Sequence, residues 1–333
     1  MSLRIALLGA GRIGRVHAKA IASQSNATLV AVADAFEAAA NEVAGEYGCD
    51  VRTVDAILAA DDIDAVVICT PTNTHADLIE KFARAGKAIF CEKPIDLDLK
   101  RVRECLAVVE DCGATLMLGF NRRFDPHFAA VKDAITTGKI GKVEQVNITS
   151  RDPGLPPLDY IDVSGGIFRD MTIHDFDMAR FLLGEEIATV QASASCLVDA
   201  QVAEHNDFDT ASVILTTASG RQCVISNSRR ATYGYDQRIE VHGSDGMIAA
   251  ENQRPVSIEI ANGDGFTRPP LHDFFMTRYT EAYAAEIAAF VAAINDGTAP
   301  TPSGKDGEAA LALAEAALKS VAEGRAVSLT ELV

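Results

Sequence analysis

A single turn constrains this chain more than any other feature. Gly9-Ala10-Gly11-Arg12-Ile13-Gly14 joins a short apolar run, Ile5-Ala6-Leu7-Leu8, to a helix-like stretch from Arg12 to Ser23. Glycine-rich turns are common. Placed between a buried strand and a helix, this spacing predicts the opening of a dinucleotide-binding unit. Gly9 permits the tight turn, Gly11 lets backbone approach a pyrophosphate, and Gly14 lets the helix pack on the strand. The helix N-terminus offers free N–H groups and a positive dipole end to phosphates. Asp34 ends the next apolar run, Leu29-Val30-Ala31-Val32-Ala33, about twenty residues past the last glycine. A carboxylate there accepts ribose hydroxyls and repels a 2′-phosphate. Ala35 and Phe36 bring no arginine to welcome that phosphate, so the pattern predicts NAD rather than NADP.

The alternation continues. Strand-like runs near Val51, at Ala65–Cys69, Ala88–Cys91 and Thr115–Leu118 are separated by helical patterns at Phe36–Tyr47, His75–Ala85 and Leu99–Cys112. Repeated βα units of this kind predict a doubly wound parallel sheet, a Rossmann domain, over residues 1–120. Beyond Phe120 the pattern changes. Val143–Ser150, Val190–Leu197, Ala211–Thr217, Gln222–Asn227 and Arg238–His242 are rich in β-branched residues and partly alternate. Helical stretches lie at about Pro126–Thr137, Asp170–Leu183, Tyr279–Asn295 and Gly307–Ala322. Residues 121–333 are therefore expected to form an α/β domain with a large, mostly antiparallel open sheet. Its closing helices have the opportunity to pack back on the first domain.

Charge and cysteine usage narrow the partners. A formal net charge of -17 over 333 residues argues against nucleic acid and anionic membrane surfaces. No run reaches membrane-spanning length, and Met1-Ser2-Leu3-Arg4 lacks the pattern of a signal peptide. The seven cysteines show no C-x-x-C spacing, and most are expected to be small buried residues in a reducing cytoplasm.

In an open parallel sheet, ligands bind beyond the carboxyl ends of the strands. That rule brings Thr70-Pro71-Thr72-Asn73-Thr74-His75 and Cys91-Glu92-Lys93-Pro94 to the nucleotide crevice. Oxidising an alcohol needs a base for the hydroxyl proton and a cation or donor for the developing alkoxide. Lys93, fixed by the proline after it, is a candidate for the second role. Read alone, it could equally bind cofactor or be solvated at a strand end. On a helix, Asp170, His174 and Asp177 share one face. A histidine flanked by carboxylates suits a general base, its unperturbed pKa of about 6.5 lying near working pH. A merely structural histidine fits the same segment. A metal is not expected, because no further His/Cys cluster stands at ligand spacing.

With these residues in view, the chain resembles the glucose–fructose oxidoreductase / inositol dehydrogenase / rhizopine catabolism (Gfo/Idh/MocA) family over nearly its whole length. The carrying motifs are the glycine turn, Cys91-Glu92-Lys93-Pro94, Gly119-Phe120-Asn121-Arg122-Arg123-Phe124-Asp125, and Gly165-Gly166-Ile167-Phe168-Arg169-Asp170 running into Ile173-His174-Asp175. Within the family, Tyr233-Gly234-Tyr235-Asp236 looks most like the bacterial inositol dehydrogenases. The resemblance implies Lys93, Asp170 and His174 as the catalytic set, with His174 as base. It implies that Arg12, Ile13, Asp34, Thr70, His75, Glu92 and Asn121 lie near NAD. Substrate hydroxyls would meet Arg123, Asp152, Asp177 and Tyr235 as well as Lys93. It further implies a homo-oligomer, dimer or tetramer, built on the open sheet. The expected reaction is oxidation of a ring hydroxyl of a polyol or sugar, with myo-inositol first. A related sugar dehydrogenase or keto-sugar reductase is the alternative, and a non-catalytic NAD-binding regulator the remote one. One departure bears on specificity: Asp152 follows Arg151 where the inositol dehydrogenases place asparagine. An ionised aspartate accepts hydrogen bonds but cannot donate.

Overall fold

The computed structural model describes residues 2–332. The chain divides into two compact units, Met1–Asp125 with Thr280–Leu311, and Pro126–Tyr279 with Ala312–Val333. A linear cut at residue 120 thus differs from the spatial grouping. The helix Thr280–Asp296 returns to the first unit, where Phe290 meets Phe90 edge-on at 5.7 Å. That helix buries Ile287, Phe290 and Val291 completely, an apolar stripe that needs a partner surface.

The first unit is built on a six-stranded sheet. Its strands are β1 (Leu3–Leu8), β2 (Ala27–Ala33), β3 (Asp50–Val51), β4 (Ala65–Ile68), β5 (Ala88–Cys91) and β6 (Leu116–Leu118), in the order β3-β2-β1-β4-β5-β6. Every pairing is parallel. Ile5, Leu7, Leu8, Val66, Val67, Ile68, Ile89 and Phe90 are fully buried, as strands covered on both faces require. The strand order reverses between β1 and β4, so the glycine turn after β1 opens at the topological switch point.

The second unit carries a seven-stranded sheet. Its strands are β7 (Val143–Arg151), β8 (Ile187–Ser195), β9 (Thr210–Thr217), β10 (Gln222–Ser228), β11 (Asp236–Gly243), β12 (Gly246–Ala250) and β15 (Val327–Ser328), in the order β12-β11-β7-β10-β9-β8-β15. A separate hairpin pairs β13 (Ile260–Asn262) with β14 (Gly265–Thr267). The large sheet is mostly antiparallel, but β7 and β10 run parallel at its centre. Periodicity alone cannot reveal that pairing. One sheet face buries Val146, Ile148, Val213, Leu215, Ile225 and Val241. The alternate positions, such as Ser212, Ile214 and Glu240, are exposed. Among the described residues, no helix is long and apolar enough to cross a membrane.

An ion pair distant in sequence braces the first unit. Arg123, in the short turn Asn121–Phe124, donates from Nη2 to Asp306 Oδ1 at 2.9 Å and from Nη1 to Thr301 Oγ1 at 3.4 Å. Burial alone would raise the Asp306 carboxyl. Arg123, with the Ser303 N–H and hydroxyl, outweighs burial and holds it at about 2. The contribution is present above the ordinary carboxylate value and is lost as pH falls through about 2. Asp306→Asn is therefore expected to cost about 2 kcal/mol at neutral pH. Denaturant melts at descending pH should show the gap to wild type closing below about pH 4; a gap constant down to pH 2 would contradict the pairing.

Candidate active site

The first unit presents a nucleotide cradle. Gly9 adopts φ +96°, and a Cβ there would lie 2.5 Å from the Cys69 carbonyl oxygen. A Cβ on Gly14 would stand 1.9 Å from the Gly9 carbonyl oxygen. Both glycines are thus demanded by the protein itself. Gly11 is different: its Cβ would meet nothing within 4 Å, and its φ of -70° is open to any residue. Its lack of a side chain is explained by a ligand that approaches the backbone, as a pyrophosphate does. The helix Arg12–Ala22 begins there with no side-chain cap and no acidic residue in its first turn, which suits an anion. Arg12 and Ile13 open that helix, Arg12 exposed and Ile13 half-buried. Asp34 anchors the turn, its Oδ2 accepting from Ala10 N at 2.6 Å and its Oδ1 from Phe36 N at 2.7 Å. Asn121 is 3% exposed, and its Nδ2 has no hydrogen-bond partner among the described residues. A buried amide donor left open beside β6 fits a polar cofactor.

Two residues expected beside the cofactor are engaged with the scaffold. His75 is buried, its Nδ1 2.8 Å from the Pro94 carbonyl oxygen and its Nε2 2.7 Å from that of Thr70. It therefore ties the loop after β4 to the loop after β5. Burial pushes its pKa below the usual histidine value, while the two carbonyls pull upward. Glu92 turns inward, its Oε1 2.7 Å from Nε2 of the fully buried His17. Glu92 Oε2 accepts from the Lys93 backbone N–H at 3.3 Å. Gly119 packs on this carboxylate so closely that a Cβ would lie 3.0 Å away. His17, which sequence reasoning missed, lies on the buried stripe of its helix with Ala18 and Ile21. Thr70 Oγ1 pairs with Thr74 Oγ1 at 2.7 Å. Together these contacts fix the backbone that carries Lys93.

The second unit holds the segment that carries Asp170 and His174. Gly165 and Gly166 take φ +84° and +80°, and a Cβ on Gly166 would lie 2.5 Å from Asp207 Oδ1. That oxygen accepts from Ile167 N at 2.8 Å. The chain then enters a π-helical turn, Phe168–Thr172, before the helix Ile173–Leu183. The regular helix expected from Asp170 onward thus begins with a widened turn. Its cause is visible: Thr172 Oγ1 donates to Ile167 O, five residues back, at 3.2 Å and to Asn227 Oδ1 at 2.8 Å. Asn227, buried on β10, also donates from Nδ2 to Asp175 Oδ2 at 2.8 Å and to Ser150 O at 3.3 Å. Asn227 therefore holds residues on both sides of His174 and sets the orientation of that turn. His174 is half-buried, with Nδ1 inside. Asp170 is half-buried, and its Oδ1 accepts from Tyr160 Oη at 3.1 Å. Asp177 is buried on the same helix.

The remaining expected residues lie at the end of the sheet. Asp152 follows β7 and donates its backbone N–H to Ser228 O at 2.9 Å. Arg151 donates from Nη1 to Tyr233 Oη at 3.1 Å, and Tyr233 donates to Asp236 Oδ2 at 2.5 Å. Tyr235 is buried, its ring edge-on to Phe274 and Tyr279. Among the described residues, no group of three or more His, Cys, Asp or Glu side chains is placed to hold a metal.

Comparison with known proteins places these features. Residues 3–120 match an oxidoreductase family with an NAD-binding Rossmann fold, and residues 128–249 match the GFO/IDH/MocA C-terminal domain. An inositol 2-dehydrogenase of Rhizobium meliloti (strain 1021) is 72% identical over 329 residues, covering 99% of this chain and 100% of that protein. The crystal structure of a putative myo-inositol dehydrogenase from Sinorhizobium meliloti 1021 superposes with a TM-score of 0.97, covering 98% of this chain and 100% of that one. A scyllo-inositol dehydrogenase of Lactobacillus casei, solved with NAD(H) and scyllo-inositol, is 28% identical with a TM-score of 0.92, covering 99% and 100%. The chain therefore belongs to the GFO/IDH/MocA family of oxidoreductases with an NAD-binding Rossmann domain.

Proposed function

We propose that this enzyme uses NAD to oxidise a ring hydroxyl of a cyclic polyol, converting myo-inositol to 2-keto-myo-inositol (scyllo-inosose). The observation that carries this reading is the 72% identity to an inositol 2-dehydrogenase across essentially both whole chains. The nucleotide cradle around Gly11, Asp34 and Asn121 supports NAD as the partner. When bound, NAD supplies the hydride acceptor. The protein supplies the rest. His174 takes the hydroxyl proton at Nε2, and the Lys93 ammonium steadies the developing alkoxide. Asp170 orients that hydroxyl or balances the imidazolium. Thr70, His75 and Glu92 serve NAD by shaping the loops beside it. Asp152, Asp177 and Tyr235 are the candidates for the remaining hydroxyls. Arg123, held by Asp306, contributes through the turn it fixes. A site lined with acceptors rejects analogues that leave buried polar groups unpaired. The enzyme works as a homo-oligomer through the exposed face of the seven-stranded sheet. Free cysteines, four of them buried, suit the cytoplasm.

The test is NADH formation by purified protein with myo-inositol, scyllo-inositol, D-chiro-inositol, glucose and galactose. Selective turnover of myo-inositol supports the reading; turnover of a hexose alone moves the enzyme to the sugar-dehydrogenase alternative. Asp34→Ala should weaken NAD by about tenfold or more, since a charged hydrogen-bond acceptor is lost. The same variant should narrow the preference over NADP. A strict preference retained in Asp34→Ala would show that another residue sets it.

A further inference from the structure

Arg229, just beyond β10, is among the largest fully buried side chains of the protein. Its Nη1 lies 3.5 Å from Asp170 Oδ2, and its Nη2 lies 3.8 Å from Asp207 Oδ2. Its Nε and Nη2 make no hydrogen bond among the described residues. The backbone N–H of Arg229 donates to Asp209 O at 2.8 Å, so the residue's place is fixed by the sheet. Its position continues the inward series Cys223, Ile225, Asn227. An apolar side chain would suit such a site, because an inadequately paired guanidinium is costly to bury. Something must require the charge.

Two carboxylates, Asp170 and Asp207, lie within 4 Å of its guanidinium, while Asp209 holds its backbone, and the three are not equivalent. Asp209 accepts at Oδ1 from Leu197 N and Thr210 Oγ1, and at Oδ2 from Val198 N and Asp199 N. Its charge is already compensated. Asp207 is occupied at Oδ1 by the Ile167 N–H that shapes the glycine turn, and burial pushes its pKa up. Asp170 is held from one side by the Tyr160 hydroxyl at Oδ1 and from the other by Arg229 at Oδ2. Arg229 brings a positive charge to that carboxylate from within this unit's interior.

We propose that Arg229 is a positioning residue for the reaction: it fixes the Asp170 carboxylate from beneath, between Tyr160 and itself, and thereby governs turnover. This rests on the reading above, in which Asp170 belongs to the catalytic set. Arg229 touches neither hydride nor hydroxyl; it acts through Asp170.

A double-mutant cycle tests this, using full-length wild type, Arg229→Met, Asp170→Asn and the double variant, each assayed with the polyol that wild type oxidises. Arg229→Met should lower kcat by about tenfold to a hundredfold, the worth of a charge-assisted contact. NAD affinity, read by fluorescence titration, should stay near wild type. In the Asp170→Asn background, the arginine substitution should cost little more, because its route of action is already gone. If Arg229→Met does not fold, Arg229→Lys replaces it in the same cycle: lysine keeps the charge but loses the fork. Losses that multiply in the double variant would overturn the inference while leaving Asp170 catalytic. An Asp170→Asn variant as active as wild type would remove Asp170 from the mechanism and overturn both.

Discussion

Replacing His174 with alanine is expected to lower kcat for polyol oxidation by about 10²–10⁴-fold, the usual contribution of a placed acid–base group. The physical reason is local. Thr172 and Asp175 are both tied to Asn227, so the turn carrying His174 is held whether or not the imidazole is present. The substitution therefore removes the imidazole without releasing its support. NAD affinity should change by no more than about twofold, since no residue of the nucleotide cradle is altered. Stopped-flow measurement of NADH formation, with NAD titrated separately, checks both statements. Turnover within a few-fold of wild type would remove His174 from the role of base. Loss of NAD binding in step with turnover would point to a folding defect instead.

The second large effect concerns a glycine. Gly11→Ala should leave the fold intact and sharply weaken NAD binding. The added Cβ meets no protein atom within 4 Å, and φ of -70° is one that alanine adopts freely. Replacing glycine at such a position stabilises a chain by about 0.4–1 kcal/mol through the unfolded state. The same methyl group occupies the space through which a pyrophosphate reaches the backbone. Gly14→Ala makes the contrasting control. Its Cβ would stand 1.9 Å from the Gly9 carbonyl oxygen, so that variant should lose stability as well as cofactor. Thermal melts with and without NAD separate the two. Wild type should melt higher with NAD, and Gly11→Ala should not respond to it. A full NAD response in Gly11→Ala would show that the cofactor does not approach this turn.

The cradle and the parallel sheet were legible because each rests on local rules. Wholly apolar strands, a glycine turn and a carboxylate at the next strand end sit within some thirty residues of one another. The segment carrying Asp170 and His174 was legible as residues but not as geometry. The π-helical turn depends on Thr172 reaching Asn227, a contact across 55 residues of sequence. Arg123 and Asp306 are 183 residues apart. No periodicity announces such a pair; it was the family resemblance that pointed Arg123 toward substrate. His75 and Glu92 were expected beside the cofactor on strand-end geometry, yet His75 spends its ring nitrogens on two loop carbonyls and Glu92 turns to His17 on the helix Arg12–Ala22. The burial of Arg229 follows a local pattern. Cys223, Ile225, Asn227 and Arg229 follow a period of two, so the alternation that buries Cys223 and Ile225 buries the arginine as well.

Isotope transfer tests most directly whether a hydride leaves a ring carbon of inositol for NAD. Myo-inositol carrying deuterium at C2 is incubated with NAD and the purified enzyme, and the nucleotide is examined by mass spectrometry and NMR. One deuterium is expected at nicotinamide C4 of the NADH formed, with 2-keto-myo-inositol as the unlabelled product. NADH formed without deuterium, or deuterium retained in the oxidised product, would place the reaction at another carbon and contradict the account.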